Sequence, residues 1–241
     1  MRNVRIALAP LVVLGFLCAL PPLASAQVLP GWDLSVSGFG GGAIPIESDV
    51  NFSGSGASGT AHNVTFDNSA SAGGKLTAWR TALRQATGGF DFGAEVDVTH
   101  SEPDISPQYL SGTVSLSGTP YWAGARLLQR VEISSNLVAL NLLARYPLGV
   151  SARFPNGWLQ PYVGVGGGAD IAHTSVAGLN DDDTAAVVQA LVGEKLLLTR
   201  NIGIFVEYKF THASHSFTLG GVTCKTDLNV NHIVGGVAFH F

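Results

Sequence analysis

The last strand of the chain constrains the fold most strongly, because its residues alternate strictly up to an aromatic C-terminus. One alternating set holds only apolar residues and glycine: Ile233, Gly235, Val237, Phe239 and Phe241. A period of two residues is typical of a β-strand whose two faces meet different surroundings. A strand that ends on Phe is unusual for a soluble domain. The pattern therefore favours a sheet that presents an apolar face outward.

Residues 1–26 have the features of a secretory signal peptide. A positively charged start precedes an apolar stretch that is too short for a spanning helix, and an A-x-A cleavage motif ends at Ala26. We predict cleavage between Ala26 and Gln27 and one mature domain over 27–241. Export together with the terminal aromatic strand points to a bacterial outer-membrane β-barrel.

The composition agrees with this class and excludes others. Without the two leader arginines, 11 of the 13 basic residues remain against 17 acidic ones, which argues against nucleic acid as a partner. Cys224 is the one cysteine after the leader, so the domain has no intramolecular disulfide. No run of 18 apolar residues follows the leader. The apolar residues must therefore be spread by alternation, as in barrel strands.

Eight strands are predicted, and their connections alternate between long and short. The strands are 31–45, 73–82, 90–99, 131–146, 159–172, 185–198, 202–211 and 229–241. Long connections after odd strands and short ones after even strands are typical of extracellular loops and periplasmic turns. We predict an eight-stranded antiparallel up-and-down transmembrane barrel with both termini in the periplasm. The pattern leaves the phase of the second and sixth strands open.

Two further features concern the surface of this barrel. The first long connection, 48–72, is rich in small polar residues, and we expect it to be a mobile loop with little to pack. Aromatic residues fall at the predicted strand ends, which favours girdles at the two membrane interfaces. The periplasmic girdle is Trp32, Trp79, Tyr146, Trp158 and Phe241, and the opposite one contains Tyr208 and Phe210.

Three segments carry a resemblance to a known group of proteins. The sequences LQPYVGVGGG at 159–168, FVEYKF at 205–210 and VAFHF at 237–241 resemble strands of the small outer-membrane β-barrel superfamily, which includes OmpA-like and opacity-type porin-like domains. The resemblance implies that the assembly machinery of the outer membrane reads the last strand through Phe239 and Phe241. It implies little about function, because such barrels include adhesins, structural anchors and small pores.

The predicted inward positions carry charged side chains that could form a polar network in the lumen. These residues are Arg80, Glu95, Asp97, Arg145, Asp170, Glu207 and Lys209. An eight-stranded barrel has a lumen just wide enough for side chains to fill, so we expect a paired plug. A narrow low-conductance pore is the alternative. The glycines at 164–168 lie within a strand, where they relieve crowding in such a lumen.

A possible hydrolytic site follows strand seven. His212 and Ser214 share a face if the strand stays regular, and Asp227 lies on the next strand. Outer-membrane lipid A deacylases use a His-x-Ser pair with an acid, in which the His accepts the Ser proton. Here Asp replaces the usual Glu at a different spacing, and His215 stands where those enzymes have Asn. The rim also carries His100 and His173, but their spacing does not favour a metal site.

We therefore expect a non-enzymatic membrane protein that acts through its extracellular loops. We expect no cofactor and no metal. The predicted partners are outer-membrane lipid, lipopolysaccharide, the assembly machinery, and host or envelope molecules that meet the loops. A narrow porin and a lipid A deacylase-like hydrolase that uses His212, Ser214 and Asp227 are the alternative functions.

Overall fold

The structure is a computed structural model that describes residues 30–54, 56–128, 130–176 and 178–241. The predicted signal peptide and its cleavage site at Ala26 and Gln27 lie outside the described residues. Twelve strands are present: β1 Trp32–Pro45, β2 Ser48–Gly54, β3 Ala57–Val64, β4 Ser69–Arg80, β5 Asp91–Ser101, β6 Gln108–Leu116, β7 Thr119–Leu128, β8 Glu132–Arg145, β9 Leu159–Val176, β10 Leu179–Leu197, β11 Ile202–Leu219 and β12 Val222–His240. A short 3-10 turn spans Thr81–Leu83. Within the described residues, no helix is long and apolar enough to cross a membrane.

Eight of these strands close into a ring, which confirms the predicted barrel. The order is β1-β4-β5-β8-β9-β10-β11-β12, and β12 pairs again with β1. Every pairing is antiparallel, and closure leaves the ring without an open edge. A path around the ring can be followed by stepping from each residue to its paired residue on the next strand. Such a path starts at Val36 of β1 and returns to β1 at Ile46, which is ten residues further along the chain. Such a stagger corresponds to strands tilted by roughly 40° to the barrel axis.

The two ends of the barrel differ. At the end that we call the turn end, the connections 81–90, 146–158 and 198–201 carry no β-strand. At the opposite end, the chain continues as strand. We call this end the crown; it comprises β2, β3, β6 and β7 together with the outer ends of β9 to β12. The predicted long loops after the fifth and seventh strands are wrong, because β9 continues to Val176 and β10 begins at Leu179, and β11 continues to Leu219 and β12 begins at Val222. Only the segments between β1 and β4 and between β5 and β8 are long, and each contains two crown strands.

The expectation that 48–72 is a loop with little to pack is wrong. β1 leaves β12 after the pair Pro45–Val230, and β2 then takes its place beside Thr223–Thr226 of β12. The sheet continues from β2 through β3 and β6 to β7. The physical reason is that β12 extends beyond the ring, where its backbone N–H and C=O groups need a partner strand.

The two faces of the ring strands have opposite chemistry, as expected for a barrel in lipid. Outward Leu142 is 68% exposed, whereas inward Asp97 and Lys209 are fully buried. Apolar side chains thus cover the outer wall and polar ones fill the interior. This arrangement suits hydrocarbon outside and a hydrogen-bonded interior, with the backbone groups of the ring below the crown paired between neighbouring strands.

The structure settles the phase of the two strands that the sequence left open. On β4, Lys75 and Trp79 point inward, so Trp79 is 2% exposed and does not belong to the outer girdle. Arg80 consequently points outward, where its guanidinium lies 5.0 Å from the ring centre of Trp32, and it is not part of the lumen network. A strand shifted by one residue exchanges its two faces completely. On β10, Gln189 points inward and Glu194 outward.

Candidate functional site

The barrel interior is a stack of polar layers, and the layer nearest the turn end is centred on Arg145. Its guanidinium pairs with Asp33 at 2.7 Å and with Asp91 at 3.0 Å, and it donates to Gln160 at 3.0 Å. The same group lies 4.5 Å from the ring centre of Trp79. Burial of a guanidinium is tolerated here because carboxylates on two other strands compensate its charge.

The middle layer holds two lysines and three carboxylates. Lys75 donates to Glu207 at 2.6 Å and to Glu95 at 3.2 Å. Lys209 donates to Asp97 at 2.7 Å, and Lys75 lies 3.9 Å from the same carboxylate. All five side chains are buried and come from β4, β5 and β11. The layer therefore ties opposite walls of the barrel together by charge-assisted hydrogen bonds.

Aromatic rings enclose these charges, and each ring rests on a glycine of the neighbouring strand. Phe39 faces Gly73 across β1 and β4, and Phe205 faces Gly236 across β11 and β12. A methyl group added to Gly236 would lie 2.7 Å from the Phe205 ring. Tyr162 over Gly193 and Trp79 over Gly93 repeat the arrangement. Because these glycines have no side chain, they leave the space into which the aromatic rings of a narrow lumen fit.

A histidine-centred layer lies above the apolar outer band, where the lumen meets the crown. Nδ1 of His215 lies 2.9 Å from Asp183 and its Nε2 lies 3.2 Å from Asp170. Burial lowers the pKa of His215, but hydrogen bonds and charge from Asp170 and Asp183 outweigh it, so this pKa lies above its ordinary value of 6.5. Ser135 completes the layer by donating to Asp170 at 2.7 Å.

The same layer closes a seam between β10 and β11. Their backbone ladder ends at Val187–Ala213, although both strands continue into the crown. Above that point the carboxylate of Asp183 accepts from the backbone N–H of Ser216 at 3.1 Å, and Asp181 accepts from that of Thr218 at 2.6 Å. Side chains therefore replace backbone pairing along this seam.

An apolar cluster closes the lumen toward the crown. It combines side chains of the ring with side chains of the crown hairpins: Ala43, Val64, Phe66, Ile105, Leu110, Val131, Ile133, Leu228 and Val230. Below it, two cavities in the lumen each measure about 10 Å³. Such a volume is near the minimum for a single water molecule. Side chains thus fill the interior at the levels that the structure describes.

The predicted lumen residues can now be placed one by one. Six of them lie in the interior layers: Glu95, Asp97, Arg145, Asp170, Glu207 and Lys209. Arg80 is the exception and lies on the outer wall. The sequence analysis missed Lys75, Asp33, Asp91 and Lys195, which also point inward. The alternation of β1 and β5 already placed Asp33 and Asp91 on the inward face, whereas Lys75 required the phase of β4.

The possible hydrolytic residues lie together on the outer wall, but not as a relay. The strand stays regular past Phe210, so His212 and Ser214 both point outward. Ser214 donates to Asp227 at 2.6 Å, whereas Nδ1 of His212 lies 2.7 Å from Oδ1 of Asn229. The acid therefore contacts the serine and not the histidine. A Ser-His-acid relay needs the histidine between the other two groups.

The rim histidines do not converge. His100 pairs with Asn136 at 3.0 Å, His173 contacts Asp182, and His212 pairs with Asn229. In the described part of the chain, no group of three or more His, Cys, Asp or Glu side chains is placed to hold a metal ion.

The C-terminal aromatics lie on the outer wall near the turn end. Phe239 is exposed on β12 and pairs with Val36 of β1. The backbone N–H of Phe241 donates to the carbonyl of Leu34 at 2.9 Å, which extends the β1–β12 seam to the last residue. The terminal strand is therefore the strand that closes the ring.

Comparisons with known proteins agree with this architecture. The family described as outer membrane protein beta-barrel domain matches residues 14–241. No curated protein matches the chain in sequence. Among solved structures, OprG from Pseudomonas aeruginosa is similar with 15% identity and a TM-score of 0.45, covering 88% of this chain and 96% of OprG.

Two further barrels are similar over the same share of this chain, 88%. Neisserial surface protein A has 13% identity, a TM-score of 0.42 and 97% coverage of its own chain. Ail, the attachment invasion locus protein of Yersinia pestis, has 11% identity, a TM-score of 0.40 and 99% coverage. Because the family match covers nearly the whole sequence, the chain belongs to the outer membrane protein β-barrel domain family.

Proposed function

We propose that this protein is a non-enzymatic surface protein of the Gram-negative outer membrane that acts through its crown. In this proposal the crown faces the cell exterior and both termini face the periplasm. The observation that carries it is the continuous sheet from β12 through β2, β3 and β6 to β7. A barrel that served only as an anchor would not require its connections to fold into a paired sheet.

The contacts within the crown support a preformed binding surface. Asp104 accepts from the backbone N–H of Ile133 at 3.0 Å and pairs with Arg130 at 2.7 Å. The side chain of Gln108 bridges to the backbone of Thr65, accepting at 3.0 Å and donating at 2.7 Å. The first contact joins the segment before β6 to ring strand β8, and the second joins β6 to the segment that follows β3. Tyr109, 79% exposed, then stands on a fixed sheet, and rigid exposed aromatics are favourable anchors for a partner.

The interior supports the same proposal. The paired lysines and carboxylates hold the walls together, and the apolar cluster separates the lumen from the crown. A barrel built in this way holds the crown at a fixed orientation above the lipid. The contacts with outer-membrane lipid and lipopolysaccharide would then be made by the apolar wall and the polar rim.

Replacing the β2–β3 segment Asp49–Asn63 with a two-residue Asn-Gly turn tests the proposal. We expect bacteria that display the wild-type chain to adhere to cultured epithelial cells and to a matrix coating, and the shortened chain to lose most of this adhesion. A matched control replaces Thr60 with Ala on the same hairpin and keeps the sheet. Equal adhesion by the wild-type and shortened chains, both correctly inserted, would overturn the proposal.

The hydrolase alternative has a separate test. Because Ser214 donates to Asp227 and His212 contacts Asn229, we expect lipid A from cells that overexpress the wild-type chain to match that from cells with the Ser214→Ala variant. Mass spectrometry of lipid A measures this. Loss of an acyl chain with the wild-type protein alone would favour the hydrolase.

A further inference from the structure

Two charged side chains lie on the apolar outer wall, on opposite sides of the barrel. Arg80 ends β4 and Glu194 lies on β10. Four steps separate β4 from β10 in either direction around the eight-strand ring. The other charged side chains at described outward positions of the ring strands are Glu132, Asp182, Lys225 and Asp227, and they lie at the crown end of their strands. An ionisable residue that faces hydrocarbon, as Glu194 does, is costly and indicates a site that needs a partner.

Both charges lie in the half of the wall nearest the turn end. Glu194 precedes the end of β10 by three residues. Each residue of a tilted strand adds about 2.5 Å of depth, so the Glu194 backbone lies roughly 7–8 Å from the turn end of β10. Arg80 is paired in register with Trp32 at the turn end itself. Copies in one membrane share orientation and depth, so two such groups on neighbouring copies can meet within the reach of their side chains.

Neither charge forms an ion pair with another described residue of its own chain. In the part of the chain that the structure describes, the ion pairs involve other side chains, and the guanidinium of Arg80 lies over the ring of Trp32. An arginine that stacks on an aromatic ring still has N–H groups along the edge of its guanidinium that can donate to a carboxylate. A partner at the same depth that supplies a carboxylate would therefore suit Arg80, and Glu194 requires a cation in the same way.

The wall around each charge has a matching shape. Two residues from Arg80 on β4, Ala78 and its paired residue Ala94 line an open dent of about 520 Å³, together with Leu34, Leu76 and Phe241. Beside Glu194, Val163, Val192 and Val206 protrude and are each at least half exposed. A ridge of β-branched side chains on one copy fits a dent lined by alanines on another.

We propose that a second copy of this chain docks against the first in the membrane, with Glu194 and its valine ridge on one copy against Arg80 and the dent on the next. Because the two surfaces lie on opposite strands of the ring, the contact is head-to-tail and continues into a row of barrels. This inference does not depend on the function of the crown. A row would present many crowns side by side, which raises the avidity of any weak contact that they make.

Charge exchange in two differently tagged copies tests the contact. Glu194→Arg opposes two arginines across the contact, and Arg80→Glu opposes two glutamates. We expect either variant alone to reduce recovery of the second tag from mild detergent extracts by roughly fivefold or more relative to wild type. A mixture of one copy with Glu194→Arg and one with Arg80→Glu places opposite charges at every mixed contact, and we expect it to restore recovery.

A photo-crosslinking residue at Val192 identifies the neighbour in intact membranes. We expect a product of two copies of this chain, which decreases with Glu194→Gln. Heat-dependent gel migration of each variant verifies that the barrel is folded. Crosslinks only to lipid or only to another protein would overturn the proposal. Unchanged recovery in the variants, with no rescue in the mixture, would overturn it as well.

Discussion

Lys75 is the most connected charge of the lumen, and it provides the sharpest residue-scale prediction. Its Nζ neutralises Glu207 and Glu95 in a buried layer. Lys75→Met leaves these carboxylates without their shared cation, so we expect a loss of about 3–5 kcal/mol in the free energy of unfolding. Urea denaturation of the barrel in detergent micelles measures the loss.

Arg80→Met is the matched control, because it removes a cation from the outer wall of the same strand. We expect it to change the free energy of unfolding in dilute micelles by less than about 1 kcal/mol. Equal losses for both variants would contradict the phase of β4. The choice between Lys75 and Arg80 could not be made from the sequence, because Trp79 fits both a membrane girdle and a lumen wall.

His215 provides a pH-dependent prediction at the seam between β10 and β11. Its pKa in the folded chain lies above 6.5 because Asp170 and Asp183 outweigh burial. The histidine therefore stabilises the seam fully below pH 6.5, and this contribution disappears as the pH rises through the raised pKa. We expect limited proteolysis of the crown to accelerate between about pH 6 and pH 9 in the wild type.

The control for this pH effect is His215→Gln, which should lose the added protection at low pH. His212→Gln changes a histidine on the outer face of the same strand, away from both carboxylates, and should retain it. Proteolysis with the same pH dependence in all three proteins would show that the imidazole does not hold the seam.

At the scale of the element, inward glycines make room for aromatic rings. A Cβ on Gly236 would lie 2.2 Å from the carbonyl oxygen of Gly38 and 2.7 Å from the Phe205 ring, whereas one on Gly235 meets its nearest atom at 3.5 Å. We expect Gly236→Ala to cost about 1–3 kcal/mol of unfolding free energy and Gly235→Ala to cost much less. Denaturant titration of the two neighbouring variants measures the difference, and equal costs would contradict the ring-on-glycine packing.

The alternation of apolar and polar residues predicted the eight ring strands and most of their faces. This two-residue period is present in the sequence wherever one face of a strand meets lipid and the other meets the lumen. It failed at β4, where small residues and an ambiguous Trp79 leave no clear apolar face. It also failed in the crown. There the hairpins are specified by pairing with an extended β12, which is a long-range contact that local composition does not reveal.

At the scale of the whole molecule, the outer-membrane barrel joins an apolar wall, a charge-paired interior and a folded crown. The interior layers connect strands far apart in sequence, as Lys75 to Glu207 and Asp33 to Arg145 illustrate. Which inward charges meet depends on ring closure and on its stagger of ten residues. The sequence could therefore predict a polar lumen, but only the closed ring shows which of its charges form pairs.

Planar-bilayer recording tests the central claim, that paired side chains fill and close this barrel. The purified wild-type chain, inserted at neutral pH in molar salt, should give no discrete conductance steps. Correct insertion would be verified by heat-dependent migration of the recovered protein. Reproducible ohmic steps from the folded wild-type chain would contradict a filled lumen and favour a narrow pore.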